Sequence, residues 1–381
     1  MIKCLRSVCL RGLILLIFSL ILIQKASAQL DNSFFYDEYS IDTADNRSLR
    51  LGVDLTPLIK NNEYFNNIIE GYTLFGYQFK PYLSLYPSEN LRIDAGGYFM
   101  KEFGGRGFRQ VKPYLAIKYK LGHFSMVFGD IEGTLTHRLT EPMYDFERII
   151  TNRMEEGLQF KWTSSKLFID TWLNWENFIH MNDPGQEIFN SGLSFRYRLI
   201  NTDRFVLSVP VQFLARHHGG QINVSSAPVY TVFNSCAGLS VNLPASRDGF
   251  FRSVEFDGYY LGSSAPDVSV VPYARGNGIL AYARASFRYF NIDVSYWRGR
   301  KFYSPIGTPM YQSAAVEYPL NSYREPDRQL LFMRLYYETK LSGKLSLAFR
   351  FEPVYDLNNH HWDHSESLYL RFNTDWRLLK L

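Results

Sequence analysis

The segment Thr73-Leu-Phe-Gly-Tyr-Gln-Phe-Lys-Pro-Tyr-Leu-Ser-Leu85 decides the fold. Thr73, Phe75, Tyr77, Phe79, Pro81, Leu83 and Leu85 form a largely apolar row, while Gln78, Lys80 and Ser84 interrupt the row between them. Successive side chains of a β-strand point to opposite faces, so the segment reads as a strand with one apolar and one more polar face. The same period of two returns at Val111, Pro113, Leu115, Ile117 and Tyr119, at Leu193, Phe195, Tyr197 and Leu199, at Phe205, Leu207, Val209, Val211 and Phe213, and at Leu368, Leu370 and Phe372. Only residues 61–70 could hold a short helix.

Working outward from these segments gives about sixteen strands of roughly ten residues. They begin near Leu49, Tyr72, Leu91, Val111, Phe124, Met154, Leu167, Phe189, Phe205, Val229, Val254, Ile279, Ile292, Leu330, Leu345 and Leu368. Connections after even-numbered strands are tight, as at 87–90, 122–123 and 164–165; those after odd-numbered strands are mostly longer, as at 136–150, 216–227 and 298–327. A soluble sandwich would also alternate, but its strands are typically shorter and its loops show no two-sided length pattern. The expectation is an all-β chain folded as a transmembrane antiparallel β-barrel, with short periplasmic turns and long extracellular loops.

The start of the chain agrees with export. Lys3, Arg6 and Arg11 precede an apolar run over residues 12–23, and Ala26-Ser27-Ala28 offers small residues for cleavage, so residues 1–28 read as a signal peptide. Removing its four cations takes the net charge of +4 to about zero, which leaves no basic excess for coating a nucleic acid. Cys4 and Cys9 leave with the leader, and Cys236 remains alone, a buried apolar residue on this reading. Residues 29–48 are acidic and aromatic and are expected as a periplasmic tail or a lumen plug, with residues 49–381 forming the barrel.

By signal peptide, alternation, loop asymmetry and a final strand at the C-terminus, the chain resembles a Gram-negative outer-membrane β-barrel of the porin kind. It departs from that class in closing with Lys380-Leu381 rather than on an aromatic residue. The resemblance implies a cell outer-membrane location, contact with the bilayer and its lipopolysaccharide, insertion by the outer-membrane assembly machinery, a small or polymeric solute, and a homo-oligomer among the partners.

If the apolar rows face lipid, the intervening residues face the lumen with an excess of about six positive charges. Arg284, Arg288, Arg334, Lys340, Arg350, Arg371 and Arg377 are the expected basic wall of a substrate path; the bland alternative pairs them with Glu338, Glu352 and Asp375 as bracing. The segment 298–327 carries four prolines and Tyr303, Tyr311, Tyr318 and Tyr323, and is expected either as a constriction tucked into the lumen or as an outward cap. Trp162, Trp172, Trp175, Trp297 and Trp376 suit membrane-interface girdles. His360, His361, Asp363 and His364 read as solvated loop residues, so no metal site and no cofactor are expected.

These readings put first an outer-membrane channel for passive or substrate-biased diffusion of small solutes, with a lean towards anions. An exporter of an anionic polysaccharide comes second. An outer-membrane hydrolase comes last, since G-x-S-x-G is absent and neither His137 nor His180 has an Asp at supporting spacing. The chain is accordingly expected not to be an enzyme.

Overall fold

A computed structural model describes residues 32–42, 46–220, 224–246, 249–266, 270–315 and 322–380. The expected signal peptide, residues 1–28, lies outside the described residues, as does Tyr318. The strands are β1 (Ser48–Phe65), β2 (Glu70–Ser88), β3 (Leu91–Glu102), β4 (Gln110–Leu121), β5 (Phe124–Asp130), β6 (Glu156–Thr163), β7 (Leu167–Asn177) and β8 (Ile188–Asn201), followed by β9 (Val206–His218), β10 (Tyr230–Pro244), β11 (Phe251–Ser264), β12 (Arg275–Phe287), β13 (Asn291–Arg300), β14 (Asp327–Lys340), β15 (Leu345–Asp356) and β16 (His361–Lys380). Each pairs antiparallel with its sequence neighbours, and β1 pairs with β16 to close the barrel. Closure leaves no free sheet edge, the condition for an all-strand crossing of lipid. Thirteen of the sixteen expected starts fall on these strands, Met154, Phe205 and Val229 lie one or two residues ahead of β6, β9 and β10, and the expected short helix at 61–70 does not form. Instead β1 continues to Phe65 and a four-residue connection leads into β2.

The alternation assigns the faces. In β2, Leu74, Gln78, Lys80, Ser84 and Tyr86 are buried towards the lumen while Phe75 and Leu83 are exposed outward. In β10, Val232, Asn234 and Cys236 point inward, so Cys236 lies buried in the lumen. Two tryptophans depart from the girdle expectation. Trp172 and Trp297 are 4% and 0% exposed and turn inward, where glycines make room for them. A Cβ at Gly192 would sit 2.3 Å from the Trp172 ring, and one at Gly278 would sit 2.1 Å from that of Trp297. Trp162 and Trp376 remain outward and exposed.

Three segments occupy the lumen. Residues 32–42 place Phe35 against Tyr369 of β16, with ring centroids 4.8 Å apart, and against Phe146 at 5.2 Å. Residues 131–155, between β5 and β6, are mostly buried and contain a 3-10 turn at Thr134–His137 and an α-helical turn at Arg148–Thr151. Residues 301–315, between β13 and β14, bring Tyr311 onto Phe332 at 4.5 Å and edge-on to Trp297 at 5.6 Å. Such edge-to-face and offset pairs contribute about 0.5–1.5 kcal/mol each beyond their buried area. The two inward loops also bond to each other: Asp145 N donates to Ile306 O at 2.8 Å, Thr308 N to Glu141 O at 2.9 Å and Ser304 Oγ to Met143 O at 2.9 Å.

Candidate functional site

The long-loop end of the wall carries an outward row of side chains set by strand register. Trp175 of β7 is opposite Phe189 of β8, Phe189 opposite His217 of β9, and His217 opposite Thr231 of β10. In β9 the buried residues Ser208, Gln212 and Leu214 point inward, so His217, in the other row, points outward. His217 Nδ1 lies 2.8 Å from Thr231 Oγ1, and the imidazole packs 4.9 Å from the Phe189 ring, which in turn stacks on Trp175 at 5.2 Å. A hydroxyl within hydrogen-bond reach of an imidazole nitrogen is the minimal arrangement for nucleophile activation. It sits among aromatic rings at the long-loop end of the strands; in outer-membrane barrels, aromatic girdles at strand ends lie at the headgroup level.

Inside the barrel the arginines of the expected basic wall meet carboxylates. Arg284 Nε donates to Asp293 at 2.8 Å, with Asp257 at 3.3 Å. Arg334 bonds Glu352 at 2.8 Å and Glu141, and Arg350 bonds Glu352 at 2.7 Å. Arg371 bonds Asp37 at 2.7 Å and Asp54 at 2.8 Å. Arg288, Lys340 and Arg377 lie instead near the short-turn end, Arg288 in the turn after β12 and 5.5 Å over the Tyr289 ring. The partners are largely not the ones expected from the strands. Glu338 accepts from Tyr336 and Asp375 from Arg50, while Asp37 and Glu141 come from the inward segments. Of the loop tyrosines, Tyr311 is buried and takes a bond from Arg334 at 3.0 Å, Tyr303 N donates to Ser263 at 3.3 Å, and Tyr323 O accepts from Ala315 N at 3.1 Å.

His137 has the carboxylates that local spacing does not reveal. Its Nδ1 is 2.9 Å from Asp170 of β7, its Nε2 is 3.3 Å from Glu155, and its ring stacks on Trp172 at 3.6 Å. Burial disfavours its charged form, but the two acids outweigh it and raise its pKa, while Glu155 is held down at about 2 despite its own burial. Both nitrogens are occupied and the ring is fully buried, so the imidazole is held between two carboxylates that favour its charged form. Its chemistry is charge compensation in the lumen. His361, Asp363 and His364 lie on β16 and not on a loop, with Asp363 buried inward, and no group of metal-ligating side chains is found among the described residues.

With this geometry in hand, comparison with known proteins gives two kinds of likeness. The profile of the Lipid A 3'-O-deacylase-type family matches residues 41–381. The chain belongs to that family. The match overturns the expectation that the chain is not an enzyme, because the family is named for an ester-cleaving activity. Absence of G-x-S-x-G misled that reading, since activation depends on spatial and not sequential spacing. No curated protein matches the chain.

Among solved structures, the outer membrane protein OprD from Pseudomonas aeruginosa aligns with a TM-score of 0.52 at 10% identity, over 87% of this chain and 95% of that one. OmpTdeltaL8, a loop-deletion mutant of an outer membrane protein of Vibrio cholerae, aligns at 0.51 and 8% identity, over 86% and 99%. At these identities the likeness is one of fold: the chain is a closed sixteen-stranded outer-membrane barrel. The porin-kind resemblance read from the sequence holds at that level, and the protein resides in the outer membrane.

The sequence reading singled out neither His217 nor Thr231. They are fourteen residues apart and meet only through the β9–β10 register. The placement of His217 at a strand end beside a long loop was the one visible signal.

Proposed function

We propose that this barrel cleaves an acyl ester of lipid A on its outward face, with His217 as general base and Thr231 as the hydroxyl it activates. The observation that carries the reading is the 2.8 Å contact between Thr231 Oγ1 and His217 Nδ1 on the outer wall, in a chain of the Lipid A 3'-O-deacylase-type family. The substrate of such an enzyme sits in the outer leaflet, beside the barrel. Nδ1 takes the hydroxyl proton as Thr231 Oγ attacks the ester carbonyl, and returns it to the sugar oxygen as the C–O bond breaks; water then releases the fatty acid from Thr231. The apolar belt beneath the site would hold the acyl chains, and the aromatic row would set the depth of the sugar.

The test is mass spectrometry of lipid A from cells making the protein. Loss of one acyl substituent is expected with the wild type, and its retention with His217→Asn or Thr231→Val, both checked for barrel formation by heat-dependent gel mobility. Unaltered lipid A with wild-type protein in the outer membrane would overturn the proposal.

A channel is the second reading, favoured by the wide wall and by a polar cavity of about 230 Å³ near the short-turn end lined by Asp37, Lys80, Arg92 and Arg371. Sixteen strands enclose more space than their own side chains fill. Because three inward segments occupy the lumen, passage would be substrate-biased and would require one of them to move. Low conductance in planar bilayers, raised by removing residues 303–314, is the expected result; conductance unchanged by that deletion would count against it.

A further inference from the structure

A second outward feature lies on the same rim. The last residues of β11 and β13 and the first of β12 and β14 border a cleft of about 570 Å³. Register sets its sides: Ser264 is opposite Arg275, Asn277 is opposite Arg300, and Arg300 is opposite Asp327. Leu280 and Tyr282 of β12 and Trp297 of β13 are buried inward, so by alternation Arg275, Asn277 and Arg300 point outward. Lys301 closes the mouth, its carbonyl seated 2.0 Å from where a Cβ at Gly276 would stand, so only glycine fits there. Asp327, the one acid lining the cleft, is engaged by Arg298 at 2.9 and 3.2 Å. Among the described residues, neither Arg275, Arg300 nor Lys301 forms an ion pair within 4 Å. On the membrane side the cleft runs into exposed apolar surface at Tyr260 and Ile279.

We propose that this cleft binds the phosphorylated headgroup of an outer-leaflet glycolipid. Guanidinium groups match phosphate oxygens in charge and in two-pronged geometry, and a lysine adds a point charge. Membrane continuity selects the source: the cations stand at the upper edge of the lipid-facing belt, so an anion tethered to acyl chains is presented to them at the correct height. The inference rests on the proposed lipid A reading and deepens it. Strands are about 4.8 Å apart, so Arg275 and Arg300 lie about 10 and 15 Å along the rim from Thr231 on β10. A phosphate held there would orient the attached sugar, and its esters, towards the His217–Thr231 pair.

The experiment measures binding with refolded protein in detergent, using lipid A carrying both phosphates, the same lipid A dephosphorylated, and inorganic phosphate. The protein is His217→Asn, which cannot turn over the lipid, so headgroup binding is read separately from hydrolysis. Bisphosphorylated lipid A is expected to bind on the order of tenfold tighter than the dephosphorylated form, with a preference that fades in salt. Adding Arg275→Gln, Arg300→Gln and Lys301→Gln should abolish that preference while leaving gel mobility barrel-like. Equal affinity for the two lipids, or a preference that survives the triple change, would overturn the proposal. Inorganic phosphate competing as strongly as the lipid would overturn the assignment to a glycolipid. Binding that persists when wild-type protein leaves lipid A uncleaved would sink the hydrolase reading and keep this one.

Discussion

Arg334 gathers three carboxylates around one buried guanidinium in the lumen. It bonds Glu352 at 2.8 Å, Tyr311 at 3.0 Å and Glu141, and has Asp293 at 3.7 Å. A buried charge is tolerable only when paired, and removing one partner exposes the full desolvation cost of the others. Arg334→Ala should therefore destabilise the barrel by about 3–5 kcal/mol in urea unfolding in detergent, with Arg334→Lys losing less because the Coulombic attraction survives without the fork. A change under about 1 kcal/mol would mean that the lumen is wet enough to screen the cluster. The sequence made Arg334 legible as an inward cation with Glu352 as one bracing partner, and left Glu141 hidden. Glu141 lies 193 residues away on a loop, and only the folded lumen brings them together. His217 and Thr231 were illegible for the same reason, since a cross-strand contact depends on register.

Asp145 acts at the level of an element, because it pins one inward loop to the other. Its Oδ1 accepts from Thr308 Oγ1 at 2.9 Å and from Glu147 N at 3.2 Å. Burial first, then the negative charge of Glu147, raises its pKa to about 7. The folded chain thus holds this proton more tightly than the unfolded chain, so the stability it contributes falls as pH rises from about 4 to 7 and levels off above that. Glu132 and Glu155 work oppositely: both are held at about 2 although burial alone would raise them, Glu132 by Lys161 and Lys118 and Glu155 by His137, so their contribution is lost as pH falls from about 4 to 2. Protection of residues 301–315 from hydrogen exchange, taken relative to the intrinsic amide rate at each pH, should be lower at pH 8 than at pH 6, and Asp145→Asn should remove that difference in protection. Equal protection at the two pH values in the wild type would rule out this latch. Strands were legible because one face of each meets lipid and the other a polar lumen, which imposes period two on the sequence. Whether a loop folds in or out was not, because the tyrosines and prolines of residues 301–315 suit either destination. Trp172 and Trp297 were misread likewise: both are at home in a girdle, and their inward turn depends on space left by Gly192 and Gly278 on other strands.

For the whole molecule, strand number and closure follow from sequence, whereas the solidity of the interior does not. An even set of alternating segments with two-sided loop lengths dictates a cylinder; the filling of that cylinder by residues 32–42, 131–155 and 301–315 is decided by charge pairs and ring contacts across the lumen. That filling makes the catalytic and headgroup proposals matters of the outer wall, and makes any conduction conditional on movement within.

Cys236 turns this packing into a measurement. It is the one cysteine among the described residues, and its sulfur lies in the interior, 2% exposed, between the rows of β9 and β11. A small maleimide should leave intact protein unmodified in detergent or in membranes, and should label it in step with displacement of the inner segments by urea or by deletion. Prompt labelling of the native protein would reveal a watery interior. The chain therefore carries its own tell-tale for an open or shut bore, without an introduced tag.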